Sequence, residues 1–242
     1  YKITMYGDMI ILADKPSWRT SNDIVQYIKH QTHSKKCGHA GTLDPMATGL
    51  MILATDDDTK QLHTFVGYDK RYEATIDLSQ STDTRDQEYR EFHQSYPLYE
   101  WWLLIDWIQR AWPSIDDIKV HIDRLSVNKW YVLPIPPFSA KKINGKKRYD
   151  MARSWDQPII DQSMNIYHIN LLEYLPPLIR LSCHVGSGTY IRSIAYRLGM
   201  QLQTWWILTS LVRTHVGIFS LDDIKDNNTS SKVSYQIIKN LP

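Results

Sequence analysis

The sequence has few cysteines and no long apolar run. Only Cys37 and Cys183 occur among 242 residues, so a disulfide framework is not indicated and a reducing compartment is favoured. No apolar stretch approaches the length that spans a bilayer, and no signal segment of basic then apolar residues stands at the start. A net charge of +2 is too small to identify a nucleic-acid partner. We expect a cytoplasmic globular protein without a membrane contact, and composition alone gives it no function.

A glycine-rich stretch at residues 38–49 is the most informative part of the chain. Its three glycines indicate a backbone that turns tightly or approaches another group closely. Pro45 disfavours a helical conformation at Asp44. The apolar run at 50–54 predicts a strand that is buried on both faces. The pattern fits a carboxylate aimed at a pocket, but it is more often that of a structural Asx-Pro turn.

Local signals predict the elements around this stretch. Residues 10–13 predict a strand that Pro16 ends, because proline cannot donate to a strand ladder. Thr20 and Asp23 form a capping-box pattern at the start of a helix. Thr55, followed three residues later by Asp58, predicts a second capping box.

Several polar residues near this stretch have two interpretations each. Lys15 is either a solvated charge or a cation close to an anionic substrate. Four residues form a small cluster whose spacing matches no common zinc pattern, so no metal site is predicted. These four are His30, His33, Cys37 and His39.

The middle of the chain alternates between sheet and helix signals. Residues 72–78 alternate strictly, with Tyr72 on the apolar face as a core-edge ring or as a ring that stacks on a planar ligand. The helical run at 99–112 is rich in tryptophan and apolar nearly all round, which predicts that it is buried or covers another surface. Ser114 predicts the cap of a further helix that runs to about Leu125.

A basic cluster follows a proline-rich segment at 134–140. An Asn144-Gly145 pair predicts a hairpin turn within the cluster. Such a cluster suits phosphate groups, and it also suits a charged face kept for solubility. Its members are Lys141, Lys142, Lys146, Lys147, Arg148 and Arg153.

The strongest strand signal lies at 179–185 and leads into a helix. The Gly-Ser-Gly turn after it is only a weak nucleotide signal, because the third glycine of the dinucleotide fingerprint is missing. Helical spacing after this turn places Arg192 in the first turn of the next helix, where the helix dipole disfavours a cation. A carboxylate partner would explain an arginine at that position.

Taken together, these motifs resemble the TruB family of RNA pseudouridine synthases. The resemblance runs from about residue 10 to about residue 224 and centres on residues 38–49. Supporting matches occur in the same order at residues 14–16, 70–72 with 82–84, 136–153, 188–192 and 211–217.

The resemblance implies an isomerase that converts a uridine, most often in the T-loop of tRNA, to pseudouridine without a cofactor. It implies that Asp44 is the catalytic aspartate, that Tyr72 packs on the target base and that Arg192 pairs with Asp44. It also implies that His39 helps to take the base out of its stack. The remaining substrate-binding positions that it implies are Lys15, Gly41, Thr42, Tyr190 and Leu211. The basic cluster would grip the RNA backbone.

We therefore predict an α+β fold with a mostly antiparallel central sheet, flanking helices and an active-site cleft across the sheet. Residues 1–242 are predicted to form one catalytic domain that acts as a monomer, with a tryptophan-rich insertion at 99–113. The C-terminal RNA-binding domain common in the family is expected to be missing. Two alternatives stay open: an RNA-binding or RNA-folding module without turnover, and a subunit of an RNA-guided particle.

Overall fold

The computed structural model describes residues 8–80, 112–126, 128–136, 138–139, 142–143, 146–147, 160–224 and 233–238. Their contacts divide the chain into two compact units. The first comprises residues 1–73 and 211–242, and the second comprises residues 74–210. Among the described residues, no helix is both long and apolar enough to cross a membrane.

The first unit contains a sheet with helical segments between its strands. Its elements are β1 (Met9–Lys15), α1 (Ser21–Thr32), β2 (Cys37–His39), β3 (Thr48–Thr55), a 3-10 helix (Asp56–Gln61), α2 (Leu62–Val66), the start of β4 (Lys70–Asp77), the end of β10 (Ile207–Val216), β11 (Phe219–Ser220), a 3-10 helix (Leu221–Asp223) and β12 (Tyr235–Ile238).

Strand β3 is the centre of the first unit. Antiparallel β1 pairs along one of its edges, with Ile11 opposite Leu53. The other edge is shared: β10 pairs in parallel at the start of β3, with Arg213 opposite Gly49, and β2 pairs antiparallel near its end. All residues of the predicted apolar strand at 50–54 are buried, so both faces of this part of β3 are covered as predicted.

One predicted helix cap in this unit is confirmed and one is wrong. Thr20 and Asp23 form the expected capping box at the start of α1. Thr55 makes no side-chain cap bond, because it remains in β3 with its side chain buried. The Asp56 carboxylate instead accepts the backbone N–H groups of Lys35 and Lys36, at 2.9 and 3.0 Å.

Where the structure describes it, the second unit combines antiparallel strands with two helices. Its elements are the end of β4, α3 (Ile115–Leu125), β5 (Lys129–Pro134), β6 (Lys142–Ile143), β7 (Lys146–Lys147), β8 (Asp161–Leu175), β9 (Leu178–Val185), α4 (Ile191–Leu202) and the start of β10. Strand β8 pairs antiparallel with β5 on one side and with β9 on the other.

Most sequence predictions for this unit are confirmed. The alternation over 179–185 buries one face of β9, including Cys183. Ser114 and Asp117 form a capping box at the start of α3. Strands β6 and β7 form the expected hairpin, while its Asn144-Gly145 turn and the tryptophan-rich segment at 99–111 lie outside the described residues. The predicted α+β class with a mostly antiparallel sheet is confirmed, and the cleft stays a prediction.

Candidate active site

The loop between β2 and β3 carries Asp44 and is tightly folded on its own backbone. The Ala47 N–H donates to the Asp44 carbonyl at 3.1 Å, which closes a turn over Pro45. The Trp18 N–H donates to the Pro45 carbonyl at 2.8 Å. Leu43, Ala47 and their apolar neighbours are buried, whereas Asp44 is half-buried. The loop is therefore a rigid support that leaves its carboxylate partly accessible.

Lys15, at the end of β1, binds the backbone of this loop. Its side chain is 0% exposed. The Nζ atom donates to the carbonyls of Pro16, Pro45 and Ala47 at 3.0, 2.9 and 2.6 Å. Of the two interpretations offered by the sequence, the solvated charge is excluded. These bonds support the loop on both sides of its turn.

Two serine hydroxyls bind the same loop. Ser21 is the first residue of helix α1, and Ser17 lies in the segment before that helix. Ser21 Oγ accepts the Leu43 N–H at 2.9 Å and lies 3.1 Å from the Leu43 carbonyl, to which it donates. Ser17 Oγ donates to the Met46 carbonyl at 3.0 Å. The capping box that starts α1 thereby also places these hydroxyls. The sequence prediction missed both serines, since an isolated serine carries no signal of a partner more than twenty residues away.

Arg213 of β10 reaches the loop from the other side. Its side chain is 2% exposed. Nε donates to the Leu50 carbonyl at 2.7 Å, and Nη2 donates to the Gly41 carbonyl at 3.2 Å. The parallel pairing brings strands β3 and β10 so close that a Cβ on Gly49 would lie 2.4 Å from the Arg213 carbonyl oxygen. The sequence showed Arg213 only as part of a motif and gave it no role.

His39, the last residue of β2, is half-buried and accepts the Gly41 N–H through Nδ1 at 3.2 Å. Burial lowers the pKa of His39, and the nearby Arg213 guanidinium lowers it further. Gly41 lies between these two side chains and has a φ of +134°, a conformation that favours glycine. The next residue, Thr42, is exposed.

Tyr72 and Leu211 are the other predicted site residues in the first unit. Tyr72 is half-buried on β4, and Leu211 is 6% exposed on β10. Nearby, Lys70 donates through Nζ to the carbonyls of Val66 and Tyr68 at 2.7 and 2.5 Å. Burial, followed by the Arg213 charge, lowers the pKa of Lys70 to about 8.

Arg192 and Tyr190 lie in the second unit, at the start of α4. Tyr190 is the N-cap residue, and Arg192 is 3% exposed and donates to the Phe138 carbonyl at 2.8 Å. Strand β8 holds the preceding turn, because the Gly186 N–H donates to the Asn165 carbonyl at 2.9 Å. Since Asp44 belongs to the first unit and Arg192 to the second, their pairing stays a prediction.

Three of the predicted RNA-backbone residues belong to the β6–β7 hairpin. Lys142 is on β6, and Lys146 and Lys147 are on β7. Lys141, Arg148 and Arg153 lie outside the described residues. The contribution of this cluster to binding stays a prediction.

Comparison with known proteins gives one consistent family. Residues 29–101 and 107–191 match the profile of the TruB family pseudouridylate synthase N-terminal domain. A protein named tRNA pseudouridine synthase B from Ureaplasma urealyticum serovar 10 is 36% identical over 217 residues, which are 88% of this chain and 88% of that protein. One of the same name from Chlamydia pneumoniae is 33% identical over 233 residues, or 94% and 91% of the two chains.

The fold has also been seen before. A chain of the archaeal box H/ACA sRNP Nop10-Cbf5 complex has a TM-score of 0.59 and 21% sequence identity. The match covers 89% of this chain and 50% of that chain. Sequence and fold therefore agree, and the chain belongs to the TruB family of pseudouridylate synthases.

Proposed function

We propose that this chain is a tRNA pseudouridine synthase that isomerises one uridine in the T-stem-loop of tRNA. The observation that carries the proposal is the Asp44 loop, which buried side chains fix through its backbone while Asp44 itself stays partly accessible. The relatives named tRNA pseudouridine synthase B support the substrate class. We propose that the chain acts as a cytoplasmic monomer and needs neither a cofactor nor a metal.

The proposed reaction needs one well-placed acid. Asp44 attacks the ribose or removes a ribose proton while the glycosidic bond between N1 of uracil and C1′ breaks. The free base turns, and C5 of uracil forms the new bond to C1′ as the Asp44–ribose bond breaks or the ribose proton returns. The proton on C5 then leaves while N1 gains one. The product therefore has the same atoms as the substrate. A rigid loop favours this chemistry because it holds the carboxylate in its reactive position before the substrate arrives.

The other proposed residues assist this step. Arg192 pairs with Asp44 and keeps it ionised and oriented. Tyr72 packs on the target base and takes part in the last proton transfer. His39 occupies the space that the base leaves when it is unstacked, which costs a few kcal/mol. Lys15 supports the loop, consistent with its three carbonyl contacts.

Replacing the proposed catalytic acid tests the function directly. Asp44→Asn should reduce pseudouridine formation in a transcribed tRNA by roughly 10⁴-fold or more, because the amide can neither attack nor take a proton. Binding of the tRNA should persist. Asp57→Asn, at an exposed ion pair with Lys60, is the matched control and should keep full activity.

Two results would contradict the proposal. If the wild-type chain binds tRNA tightly but forms no pseudouridine, the chain is an RNA-binding module without turnover. If activity appears only with a guide RNA and protein partners, it is a subunit of a larger particle. Mapping the modified uridines after incubation with the purified chain separates both from the proposed enzyme.

A further inference from the structure

The hydrogen bond between His39 and Gly41 fixes which ring nitrogen carries a proton. A backbone N–H can only donate, and the Gly41 nitrogen lies 3.2 Å from Nδ1 of His39. Nδ1 is therefore an acceptor and holds no proton of its own. A neutral imidazole in this arrangement carries its proton on Nε2 and presents that nitrogen as a donor.

The Gly41 residue that makes this bond is itself held by Arg213. Nη2 of Arg213 donates to the Gly41 carbonyl, and Nε anchors the same guanidinium to the Leu50 carbonyl. A Cβ on Gly41 would lie 3.6 Å from Nη1, so the guanidinium packs directly on this residue. Arg213 thus holds the peptide that follows Gly41, and it acts on the N–H of the preceding peptide, which meets His39, through the φ and ψ angles of Gly41.

The charges around His39 favour its neutral form. Burial and then Arg213 on β10 lower the pKa of the ring, and together they outweigh the backbone contact with Gly41, which acts to raise it. Two further charged groups belong to the elements packed against β2. Lys29 on α1 and Asp56 after β3 act on the pKa of Cys37, which lies two residues earlier. A positive His39 would therefore lie close to the charge of the buried Arg213 guanidinium.

We propose that His39 binds RNA as a neutral donor through Nε2, and that Arg213 is a positioning residue that sets the His39 ring through Gly41. The acceptor is an uncharged carbonyl oxygen of a base, because His39 is half-buried and a phosphate bound there would lose more hydration free energy than an uncharged oxygen. This choice of ligand rests on the proposed function. The ring's proton position and the role of Arg213 do not.

The free protein provides the first test, and it needs no substrate. Two-bond ¹H–¹⁵N correlation of the full chain between pH 5 and 8 reports the protonated ring nitrogen, with His39→Gln assigning the signals. We expect the proton on Nε2 and a titration midpoint below that of an ordinary histidine. A ring protonated on Nδ1 in the wild type would overturn the proposal.

A pair of variants separates the charge of Arg213 from its geometry. Arg213→Met should move the His39 midpoint up toward the ordinary value, because the nearby charge is gone. Arg213→Lys keeps the charge but cannot reach both carbonyls, so the midpoint should stay low while a second tautomer appears. An unchanged midpoint and a single tautomer in both folded variants would overturn the role of Arg213. If Arg213→Met fails to fold, Arg213→Lys and the wild-type tautomer still decide.

The bound state identifies the acceptor. Asp44→Asn saturated with a T-stem-loop RNA should keep the His39 ring neutral at pH 7, since a base carbonyl adds no charge. A rise of the midpoint above 7 on binding would indicate a phosphate and overturn the base-carbonyl assignment.

Activity gives a separate readout of the same donor. His39→Gln, whose amide N–H can take the place of Nε2–H, should keep activity within about tenfold of wild type, and His39→Phe should lose more. Equal activity of these two variants would contradict a donor role. If the wild-type chain is inactive on RNA but its His39 ring carries the proton on Nε2, the proposed function is contradicted. The inference about the ring is then retained.

Discussion

At the scale of single residues, Lys15 and Arg213 are cations placed where cations are costly. Both are nearly or fully buried, and their hydrogen bonds go to carbonyl oxygens of the loop and of β3. A buried ammonium or guanidinium is stable only when such acceptors satisfy it. The loop in turn needs these donors, because its carbonyls do not join a regular ladder. The carbonyl oxygens lower the free-energy cost of burying the two cations, and the cations give these oxygens the hydrogen-bond donors that they need.

Replacing Lys15 should show this mutual dependence. Lys15→Met keeps most of the side-chain volume but removes the Nζ donor from three carbonyl oxygens, of which that of Pro45 keeps the Trp18 N–H. We expect the free energy of unfolding to fall by about 3 kcal/mol or more. Urea denaturation measures the change. Lys60→Met, at a side chain that is 78% exposed, is the matched control and should leave the midpoint unchanged.

An equal change in the free energy of unfolding for the two lysine substitutions would show that the burial of Lys15 does not contribute to stability. The comparison also tests the interpretation of Lys15 as a support. Loss of stability in Lys15→Met should be accompanied by loss of activity, because the loop that carries Asp44 loses its fastening. Full activity in a destabilised variant would show that catalysis does not depend on the contacts between Lys15 and the loop.

Sequence reasoning at this scale was limited by distance along the chain. The capping box of Thr20 and Asp23 could be predicted because its two partners are three residues apart. Two of the three Lys15 acceptors lie 30 and 32 residues away, and the Gly41 carbonyl lies 172 residues from Arg213. No local pattern encodes such pairs. The family resemblance marked the positions but could not tell which atoms they bind.

At the scale of elements, the close contact of β3 and β10 depends on one glycine. Gly49 has a φ of +103° and faces the Arg213 backbone, which is part of an opposing strand and cannot move aside. The register that pairs these two residues also brings the Arg213 side chain to the loop. A strand register at one end of β3 therefore decides the geometry of the loop that precedes it.

Substitution of Gly49 should disrupt this pairing. Gly49→Ala would place a Cβ 2.4 Å from the Arg213 carbonyl oxygen and strain the backbone, which should lower the free energy of unfolding by about 3 kcal/mol or more. Gly67→Ala is the control, since a Cβ there meets only the Thr64 carbonyl at 3.5 Å. Its expected effect is within about 1 kcal/mol. Similar denaturation midpoints for both variants would contradict the close approach.

The wrong cap at Thr55 illustrates what local patterns miss at the element scale. The Thr55–Asp58 spacing is that of a capping box, yet Thr55 pairs with Cys37 and belongs to β3. Strand pairing with a partner outside the local window therefore decided its conformation. The apolar run at 50–54 and the alternation of β9 were predicted correctly because burial on one or both faces leaves a periodic trace in the sequence itself.

At the scale of the whole molecule, the half-buried thiol of Cys37 and the buried thiol of Cys183 make stability fall at alkaline pH. Burial raises the pKa of Cys37 to about 11 and that of Cys183 to about 12, from an ordinary value of 9.0. Above pH 9 the unfolded chain releases these protons and the folded chain keeps them. Their contribution to stability is therefore complete below pH 9 and is lost as the pH rises toward the folded values.

A cysteine variant isolates this contribution. Between pH 8.5 and 10.5, wild type should lose about 2 kcal/mol more than Cys183→Val, because valine has no proton to release. The difference between the two proteins is the relevant quantity, since Lys70, with its pKa lowered to about 8, shifts both curves in the opposite direction. Parallel curves for wild type and Cys183→Val in urea titrations would refute the buried-thiol effect.

The proposed RNA grip is also a property of the whole molecule, because it is electrostatic. Replacing both Lys146 and Lys147 with alanine should weaken binding of the tRNA regardless of its sequence. The slope of log affinity against log salt should fall by roughly 0.7–0.9 for each phosphate that the variant no longer neutralises. Binding measured at several salt concentrations gives the slope. Lys60→Ala is the control, and an unchanged slope in the double variant would indicate that the β6–β7 hairpin serves solubility instead.

The way Lys15, Ser21 and Arg213 grasp the Asp44 segment has a consequence for protein engineering. All of them hold main-chain atoms, so the identity of an outward-facing amino acid such as Thr42 is irrelevant to the shape of the segment. Its exposed positions are open to randomisation in a library aimed at new RNA targets. If the same segment is grafted onto another scaffold, by contrast, Lys15, Ser21 and Arg213 must be transferred with it to preserve its backbone conformation.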